Sequence, residues 1–457
     1  MSVMSKPQPM EPTVPQFVSR AVPVPAGSRV PWYKSTFPTY FGIFLFVGFY
    51  QKLASSTLAF ADVGVCLMGL AVAGLLCFAL YYYVPAMLGM QAGRPLYVVA
   101  TSTFGVRGGY LIPGLLMGFL QIGWVAVIAS VAVTFIMTGL GQTSRVLFAG
   151  VVVVWLYSLG WVAVRGIHHV NRVAKFLNWV PLAMILIVVW ANRSGIARYQ
   201  VPHRDELSGF LNVLTITIGF FATAGAAGAD FGMHNRNRRD VFLGGALGIV
   251  GGALVAGGLP ILSVAGYIGR GAGSSYDFSA AIASVGVLAP AMFFLFAAAC
   301  LVPTCFSSFI ASNSFSTMLP GFPRTLSTFA AITVSAVLAI TGVANNLIGF
   351  FSIVGASFGP ICGAMMADYL VAGRRWTGPR QGVNWAGYSA WFIGFLTGIP
   401  ERIPGLPATW VRADNPSALY SFAVGFFVYL ILARLRMLSP LIDAKLLAVV
   451  TDSSNPK

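Results

Sequence analysis

Charged side chains are scarce in this chain of 457 residues: Asp, Glu, Lys and Arg together make up 9% of it, whereas 57% is hydrophobic. A soluble domain needs more charge than this to cover its apolar core, so the composition excludes an ordinary water-soluble fold. Acidic residues are especially few, with 12 against 28 Lys and Arg. The composition therefore indicates a membrane protein.

Histidine and cysteine are also rare, and their positions exclude several kinds of active site. The four histidines fall in predicted loops, and the five cysteines fall in apolar runs without metal-ligand spacing. An intramembrane acyltransferase or protease needs a nucleophile–base pair or a metal cluster at membrane depth. Because no histidine lies in a predicted span and no Gly-rich nucleotide loop is present, we expect no enzyme, no catalytic residues and no cofactor.

Long apolar runs fill most of the sequence, and twelve of them can be separated. Each has about 17–30 residues, which suits a hydrocarbon layer about 30 Å thick at 1.5 Å per helical residue. Because the runs are continuously apolar rather than alternating, they predict an all-α integral membrane protein and not a barrel. The predicted spans are 38–61, 63–89, 109–140, 146–164, 173–192, 208–229, 241–268, 287–316, 326–344, 347–372, 384–399 and 416–434.

Basic residues are unevenly distributed around these spans. If the N-terminus is cytoplasmic, the cytoplasmic side holds 20 Lys and Arg residues and the outer side holds 7, with Lys52 in the bilayer. This positive-inside bias predicts a multi-pass protein of the inner or plasma membrane with both termini in the cytoplasm. It also explains the net charge of +16 without a nucleic-acid partner.

Two spans contain residues that a continuous helix tolerates poorly: the polar stretch Gly48–Ser56 in the first and the Gly- and Ala-rich stretch Gly219–Asp230 in the sixth. Interrupted helices in corresponding positions are typical of inverted-repeat transporters, whose binding site lies near the bilayer midplane. Close packing through small residues is the alternative explanation for the sixth span. The predicted divisions are a disordered cytoplasmic tail (1–35), a first repeat (36–199), a second repeat (200–373), two further helices (374–438) and a cytoplasmic C-terminal tail (439–457).

Polar residues within the third span indicate where a ligand binds. Gln121 and Trp124 are one helical turn apart, so both lie on one face of the helix. An indole stacks on a flat ring, and an amide pairs with the donors and acceptors along the ring edge. The pair therefore suits a planar heteroaromatic ligand, and ordinary interhelical packing is the alternative.

Two further features of the spans concern cations. Thr304–Asn313 in the eighth span is rich in hydroxyls, which together with carbonyls of an unwound first span form an oxygen shell for a hard cation. Hydroxyls bonded to their own helix are the alternative. The ammonium of Lys52 either reaches the outer interface along its own stem or lies in the central cavity. In the cavity it substitutes for a bound cation or holds a substrate oxygen.

Four segments in order along the chain resemble the nucleobase–cation symporter family, which includes cytosine permeases and hydantoin or allantoin permeases. The resemblance implies a LeuT-type fold, in which two inverted five-helix repeats are followed by two helices. It also implies uptake of a planar nitrogen heterocycle with a cation. The four segments are GRPLYVVATSTFGVRGGYLIP (93–113), GADFGMHNRNRRDV (228–241), GASFGPICGAMMADYL (355–370) and NWAGYSAWFIGFLTG (384–398).

The same resemblance assigns substrate-binding roles to individual residues. Gln121 and Trp124 match the Gln-x-x-Trp of cytosine permeases. Phe221 matches an aromatic residue of helix 6 that covers the other face of the ring, with Phe220 as the alternative one residue earlier. The remaining substrate contacts that the resemblance implies are Gln51 in the first span and Asn313 in the eighth.

The coupling-ion site follows from the resemblance in the same way. Ser307 and Ser308 match a sodium-ligating hydroxyl pair of the hydantoin permeases, and we add Thr304 from the same polar stretch. The carbonyls of Val47 and Tyr50 then face the ion from the broken first helix. We expect no metal beyond this sodium ion.

We therefore predict a secondary active symporter that imports a nucleobase-like heterocycle, such as cytosine, another pyrimidine or purine base, hydantoin or allantoin. Its partners are this small molecule, the coupling ion and the lipid bilayer. Cys305 and Phe309 stand where relatives often carry Asn, so a proton remains the alternative to sodium. The alternative function is transport of an amino acid or another amine by the same fold, proton-coupled through Lys52.

Overall fold

The computed structural model describes residues 14–165, 177, 179–319, 321–403, 405 and 416–442. Nine helices of this part are long and apolar enough to cross a membrane, and a broken α1, α9 and α11 occupy the other predicted spans. The helices are α1 (three pieces within 36–57), α2 (Val63–Ala92), α3 (Tyr110–Gly139), α4 (Arg145–Arg165), α5 (Trp179–Ile196), α6 (Glu206–Ala226), α7 (Arg238–Gly269), α8 (Gly286–Met318), α9 (Arg324–Ile340), α10 (Leu347–Val371), α11 (Trp385–Gly398) and α12 (Ser417–Arg434).

The first span is interrupted twice, once within the polar stretch Gly48–Ser56 that the sequence indicates and once before it. Its three helical pieces are Thr36–Phe44, Val47–Tyr50 and Leu53–Thr57. Phe46 adopts an extended conformation (φ −66°, ψ 120°) between the first two pieces, and Lys52 separates the second from the third. Both interruptions expose backbone groups that a regular helix would pair.

The sixth span is less interrupted than predicted. α6 continues through the glycine- and alanine-rich stretch, and only Ala227 separates it from a last turn at Gly228–Gly232. Gly219 serves close packing instead, because a Cβ there would lie 2.5 Å from the carbonyl oxygen of Phe351 in α10. The expectation of a break midway along this helix is therefore wrong, and close approach of α10 explains the small residue.

Four helices begin at a side chain that caps them. Asp62, Asp205, Asn237 and Asn346 each accept a hydrogen bond from the backbone N–H three residues later, at 3.0–3.1 Å. These residues precede α2, α6, α7 and α10, respectively. Each cap pairs an N–H that the helix itself leaves free, and so helps to fix where the helix begins.

α5 and α7 pack with no side chain between them. A Cβ on Gly195 of α5 would collide with the carbonyl oxygen of Gly266 of α7, and a Cβ on Gly269 would collide with that of Gly195. Gly266 likewise lies against the backbone of Asn192. The two helices therefore contact each other backbone to backbone, as small residues allow in membrane proteins.

The residues before α1 pack against one end of the helix bundle, so the expectation of a disordered tail does not hold for residues 14–35. Phe17 and Val18 are buried in an apolar cluster with Met318 at the end of α8 and Ile442 after α12. Because this cluster contains residues from both ends of the chain, both described ends lie on the same side of the bundle. We call it the terminal side, and the other the opposite side.

The same N-terminal segment also contacts the ends of α2 and α6. The backbone N–H of Val24 donates to the carbonyl of Gly93, and that of Val30 donates to the carbonyl of His234, both at 2.8 Å. The segment therefore links these helix ends to those of α3 and α8. Of the two predicted tails, residues 1–13 and 443–457 lie outside the described residues.

Asp230 lies just beyond α6 on the terminal side. Its half-buried carboxylate accepts a hydrogen bond from the backbone N–H of Leu96, at 3.0 Å, in the connection between α2 and α3. Burial raises the pKa of this carboxyl to about 6, although the Leu96 N–H acts in the opposite direction. The contact therefore joins the end of α6 to the α2–α3 connection through a carboxyl group whose pKa is raised.

Replacing Asp230 with Asn should remove a pH dependence of stability. Because the pKa is about 6 in the folded protein and 3.8 ordinarily, the folded state holds a proton that the unfolded chain has released between about pH 4 and 6. The free energy of unfolding therefore falls as pH rises through this window, by on the order of 3 kcal/mol for this group, and is level above it. Thermal unfolding in detergent from pH 4.5 to 7 measures the slope. The Asp62→Asn control should keep the slope, and an unchanged slope in Asp230→Asn would contradict the assignment.

Candidate substrate and ion site

The indole of Trp124 in α3 is enclosed by aromatic rings from three other helices. Its ring centroid lies 5.2 Å from that of Phe350 and 5.6 Å from that of Phe351, both in α10. It lies 5.4 Å from Phe220 in α6 and 6.5 Å from Phe46, at the first interruption of α1. We call these five residues the Trp124 cluster. It brings the side chain that the sequence assigns to ring stacking together with both predicted interrupted helices.

Phe220, and not Phe221, contacts Trp124. The Phe220 ring meets the indole edge to face, at an interplanar angle of 85°. Phe221 is fully buried and stacks on Phe44 of α1, with a centroid distance of 5.5 Å and an angle of 7°. Because successive residues point about 100° apart on a helix, only one of the pair can face α3. The packing therefore favours Phe220, the alternative one residue earlier, as the aromatic residue that faces α3.

Two polar groups of α3 are buried beside these rings. The indole N–H of Trp124 has no hydrogen-bond partner within the described part of the chain. Gln121 is 7% exposed, and its amide nitrogen has the thioether sulfur of Met117, a weak acceptor, at 3.6 Å. A buried donor without a partner costs about 1–3 kcal/mol, so a ligand that supplies acceptors here gains binding energy.

The two other predicted substrate contacts are Gln51 in α1 and Asn313 in α8. The side-chain amide of Gln51 donates to the hydroxyl of Ser279 at 3.0 Å, in the connection between α7 and α8. Its side-chain oxygen is buried without a partner among the described residues. Asn313 is half-buried in α8. Neither amide forms a hydrogen bond to Gln121 or Trp124 among the described residues, and their placement around one ligand stays a prediction.

The side-chain hydroxyls of α8 differ in whether they already form hydrogen bonds within the protein. Thr304 donates to the carbonyl of Cys300 at 2.7 Å and accepts from the indole of Trp155 at 3.4 Å. The hydroxyl of Ser308 is buried and has no partner in the described ranges, whereas Ser307 is half-buried. Thr304 therefore follows the alternative in which hydroxyls bond their own helix, and Ser308 retains a free oxygen for an ion.

The predicted α1 ligands, Val47 and Tyr50, lie in the short second piece of α1. The carbonyl of Val47 accepts the backbone N–H of Gln51 at 2.9 Å, and Tyr50 is fully buried beside Phe278. The main neighbours of α8 are α3, α4 and α9. The predicted ion shell thus spans two helices whose mutual packing is slight in this conformation.

Lys52 forms an ion pair at the edge of the bundle. Its ammonium lies 2.6 Å from the carboxylate of Asp277, and the two side chains are 47% and 33% exposed. The pair joins α1 to the α7–α8 connection on the opposite side. The interpretation of Lys52 as a substitute for a bound cation in a central cavity therefore does not hold, because the charge is half-exposed and already paired.

Sequence analysis missed the two α10 members of the Trp124 cluster. The tripeptide Gly-Phe-Phe occurs at 219–221, 349–351 and 425–427, and its first two copies supply Phe220, Phe350 and Phe351. This recurrence was a signal that the sequence offered. With 35 phenylalanines in the chain, however, an aromatic pair alone does not single out a site.

Phe350 also lines a cavity of about 210 Å³ toward the opposite side. The walls are formed by α3, α9, α10, the α9–α10 connection and the segment after α11, and they are apolar apart from Asn346 and Arg402. One aromatic ring is therefore shared between the Trp124 cluster and this cavity. The lining residues are Gly123, Ala126, Val127, Leu338, Val343, Ala344, Asn346, Gly349, Phe350, Ile353 and Arg402.

Solved structures show the class of protein to which this arrangement belongs. The fold is similar to that of Mhp1, a nucleobase-cation-symport-1 family transporter, in its inward-facing conformation, with a TM-score of 0.70 over 96% of this chain and 98% of that chain at 15% identity. Mhp1 in a closed conformation with bromovinylhydantoin bound gives 0.67 over 95% and 98% at 17% identity. A Na⁺-coupled sialic acid symporter gives 0.60 over 91% and 92% at 12% identity. The chain therefore has the LeuT-type fold of membrane transporters.

Sequence comparison shows the family within this class. The sequence model of a family described as permease for cytosine/purines, uracil, thiamine, allantoin matches residues 23–425. Cytosine permease of Escherichia coli strain K12 is 25% identical over 347 residues, which are 73% of this chain and 77% of that protein. Cytosine permease of Escherichia coli O157:H7 is 26% identical over 346 residues, with the same coverage. The chain belongs to this permease family, so it is a transporter of nucleobase-like substrates and not an enzyme.

Alanine substitutions should separate the roles of Phe220 and Phe221. The ligand for this test is the heterocycle that raises the melting temperature of the parent protein most. Phe220→Ala removes a ring from the Trp124 cluster, so we expect its affinity for this ligand to be at least tenfold weaker. Phe221→Ala removes a fully buried ring that stacks on Phe44, so we expect a loss of about 3–5 kcal/mol in stability. Binding titrations and thermal unfolding of both variants measure the two effects. A greater affinity loss in Phe221→Ala than in Phe220→Ala would contradict the geometry.

Proposed function

We propose that this permease imports a planar nitrogen heterocycle, of the cytosine, purine, hydantoin or allantoin type, together with a sodium ion by alternating access. The observation that carries the proposal is the Trp124 cluster, in which a buried indole N–H and the Gln121 amide adjoin aromatic faces. Aromatic faces favour any flat ring, whereas the polar groups favour a ring with heteroatoms along its edge.

Binding requires a rearrangement within the cluster. A flat ligand between two aromatic rings needs about 3.5–4.0 Å on each face, so the two centroids must lie roughly 7–8 Å apart. Trp124 is only 5.4 Å from Phe220 and 5.6 Å from Phe351. Rotation of one of these phenylalanines away from the indole would open this space. The ligand would then lie on the indole, with Gln121 at its edge.

We infer that the terminal side faces the cytoplasm. The supporting observation is the excess of Lys and Arg in the segments on this side, which fits the positive-inside rule. In this orientation, the 210 Å³ cavity lies toward the outside and Phe350 separates it from the indole. A solute that arrives from outside would meet the cavity before the Trp124 cluster.

The coupling ion would bind where α8 offers Ser308 to the interrupted α1. The free hydroxyl oxygen of Ser308 supports this location. Bringing α1 to α8 would complete the shell with backbone carbonyls, including those of Val47 and Tyr50. Since the interrupted α1 also supplies Phe46 to the Trp124 cluster, ion and heterocycle would each strengthen the binding of the other, and by the same factor.

The alternative of an amino acid or amine transporter receives less support from the geometry. That alternative relies on Lys52 as a cation for a carboxylate substrate or as a proton carrier. The ammonium is instead paired with Asp277 and half-exposed. The rings that contact Trp124 in the described part of the chain are all phenylalanines, which carry no charge to recognise a zwitterion.

Transport assays test the proposed substrate class. Counterflow in proteoliposomes with labelled cytosine, uracil, hypoxanthine, allantoin and hydantoin should show uptake of at least one compound. Trp124→Ala should reduce that uptake at least tenfold, because it removes the ring face. Trp190→Ala should leave it unchanged, since Trp190 is 67% exposed in α5. Equal losses in the two variants, or no uptake of any heterocycle by folded protein, would overturn the proposal.

Thermal shift tests the ion. With a saturating heterocycle, the melting temperature of the parent protein should rise when sodium replaces potassium. Ser308→Ala should lose this sodium-dependent rise, because it deletes an oxygen ligand. Ser263→Ala is the matched control, since its hydroxyl bonds the carbonyl of Leu259 in its own helix. A sodium response that survives in Ser308→Ala would place the ion elsewhere, and no response in the parent would favour proton coupling.

A further inference from the structure

Arginine and tyrosine side chains of three helices meet on the terminal side. Arg238, at the start of α7, donates through Nε to the hydroxyl of Tyr83 in α2 at 2.8 Å. The backbone carbonyl of Arg374, just after α10, accepts a hydrogen bond from the side-chain amide of Gln91 in α2 at 3.0 Å. The backbone N–H of Arg374 donates to the carbonyl of Tyr369 in α10 at 2.8 Å, and the Tyr369 hydroxyl lies within electrostatic range of both guanidinium groups. We call these five residues the basic cluster.

The charge of the basic cluster is not neutralised by the neighbouring carboxylates. Three carboxylates on the terminal side are described, and each has its own partner. Asp240 pairs with Arg236 at 2.9 Å, and Asp368 pairs with Arg380 at 3.4 Å. Asp230 accepts the backbone N–H described above. The two exposed guanidinium groups of the cluster therefore form no ion pair within the described residues, and they are available to an anion from outside the protein.

Apolar side chains continue from the basic cluster along the lipid-facing surface. Phe242, one helical turn beyond Arg238, is 49% exposed, and its ring lies 5.3 Å from that of Phe78 in α2. Leu370 and Val371 at the end of α10 are 45% and 47% exposed. The surface thus changes from two cations and two phenolic hydroxyls to exposed hydrocarbon within about one helical turn, or 5.4 Å.

We propose that the basic cluster binds the headgroup of an anionic phospholipid, with its acyl chains against Phe242 and the end of α10. Phosphate oxygens accept charge-assisted hydrogen bonds from guanidinium groups and further bonds from tyrosine hydroxyls. An anionic leaflet attracts basic residues at its surface. A free phosphate ion would use the same donors, but it would leave the adjoining apolar strip unused, so the surface fits a phospholipid better.

A lipid at this place would connect parts of the molecule that belong to different predicted repeats. The cluster takes Tyr83 from α2, Arg238 from α7 and Arg374 from the end of α10. One headgroup that contacts both arginines therefore restrains the separation of α7 and α10 on this side. The identification of the leaflet as cytoplasmic rests on the proposed orientation, whereas the binding itself does not.

Lipid titration of the delipidated full-length protein tests this inference. Phosphatidylglycerol should raise the melting temperature and remain bound in native mass spectra, and phosphatidylcholine should do neither. Arg238→Gln combined with Arg374→Gln should weaken phosphatidylglycerol binding at least tenfold. Arg165→Gln combined with Arg434→Gln is the matched control, because it removes two exposed arginines from the ends of α4 and α12. This control should bind like the parent.

The other outcomes overturn the inference. Equal losses in the two double variants would mean that general charge, and not the basic cluster, attracts the lipid. The same melting shift with inorganic phosphate alone would mean a free-anion site. A thermal unfolding transition of each double variant in phosphatidylcholine alone verifies that both variants are folded. Since no heterocycle is present in these titrations, their failure is distinguishable from a failure of the proposed transport function.

Discussion

Hydrocarbon offers no hydrogen-bond partner, so every backbone group that an interrupted membrane helix releases must be paired inside the protein. α1 meets this requirement at its second interruption. The carbonyl of Gln51 accepts the backbone N–H of Phe278 at 3.2 Å, and that of Lys52 accepts the hydroxyl of Ser55 at 2.7 Å. The α7–α8 connection thus stabilises the irregular backbone. The first interruption, at Phe46, is the one that places a ring of α1 beside Trp124 in the candidate site.

Side chains, more than backbone groups, form the candidate site. α6 remains helical past Phe220, so it offers few unpaired backbone amides to a ligand, and it contributes a ring instead. Its neighbour Phe221 stacks on Phe44. This contact fixes the rotation of α6 about its axis, so that the ring of Phe220 faces α3. Aromatic faces discriminate weakly among flat solutes. If the proposed site is correct, discrimination between related heterocycles would depend mainly on Gln121 and on the unpaired indole N–H of Trp124.

The sequence alone predicts a structural feature correctly where a single segment of the chain determines that feature. Continuous apolar runs predict the membrane helices, and the polar stretch Gly48–Ser56 predicts the interruption of α1. The sequence alone does not predict a feature that depends on contact with a residue far away along the chain. Gly219 is compatible with a broken helix or with close packing, and the approach of Phe351 selects the second. Lys52 could have faced a cavity or the surface, and the decisive carboxylate of Asp277 lies 225 residues further along the chain.

The backbone contact between α5 and α7 limits how this molecule can move. Because the carbonyl oxygens of Gly266 and Gly195 occupy the places that β-carbons on Gly195 and Gly269 would take, a larger residue at Gly195 or Gly269 would push the two helices apart. α5 lies in the first predicted repeat and α7 in the second, so the contact fastens the two halves at one level. A rearrangement that moves one predicted repeat relative to the other would therefore have either to carry α5 and α7 together or to open this backbone contact.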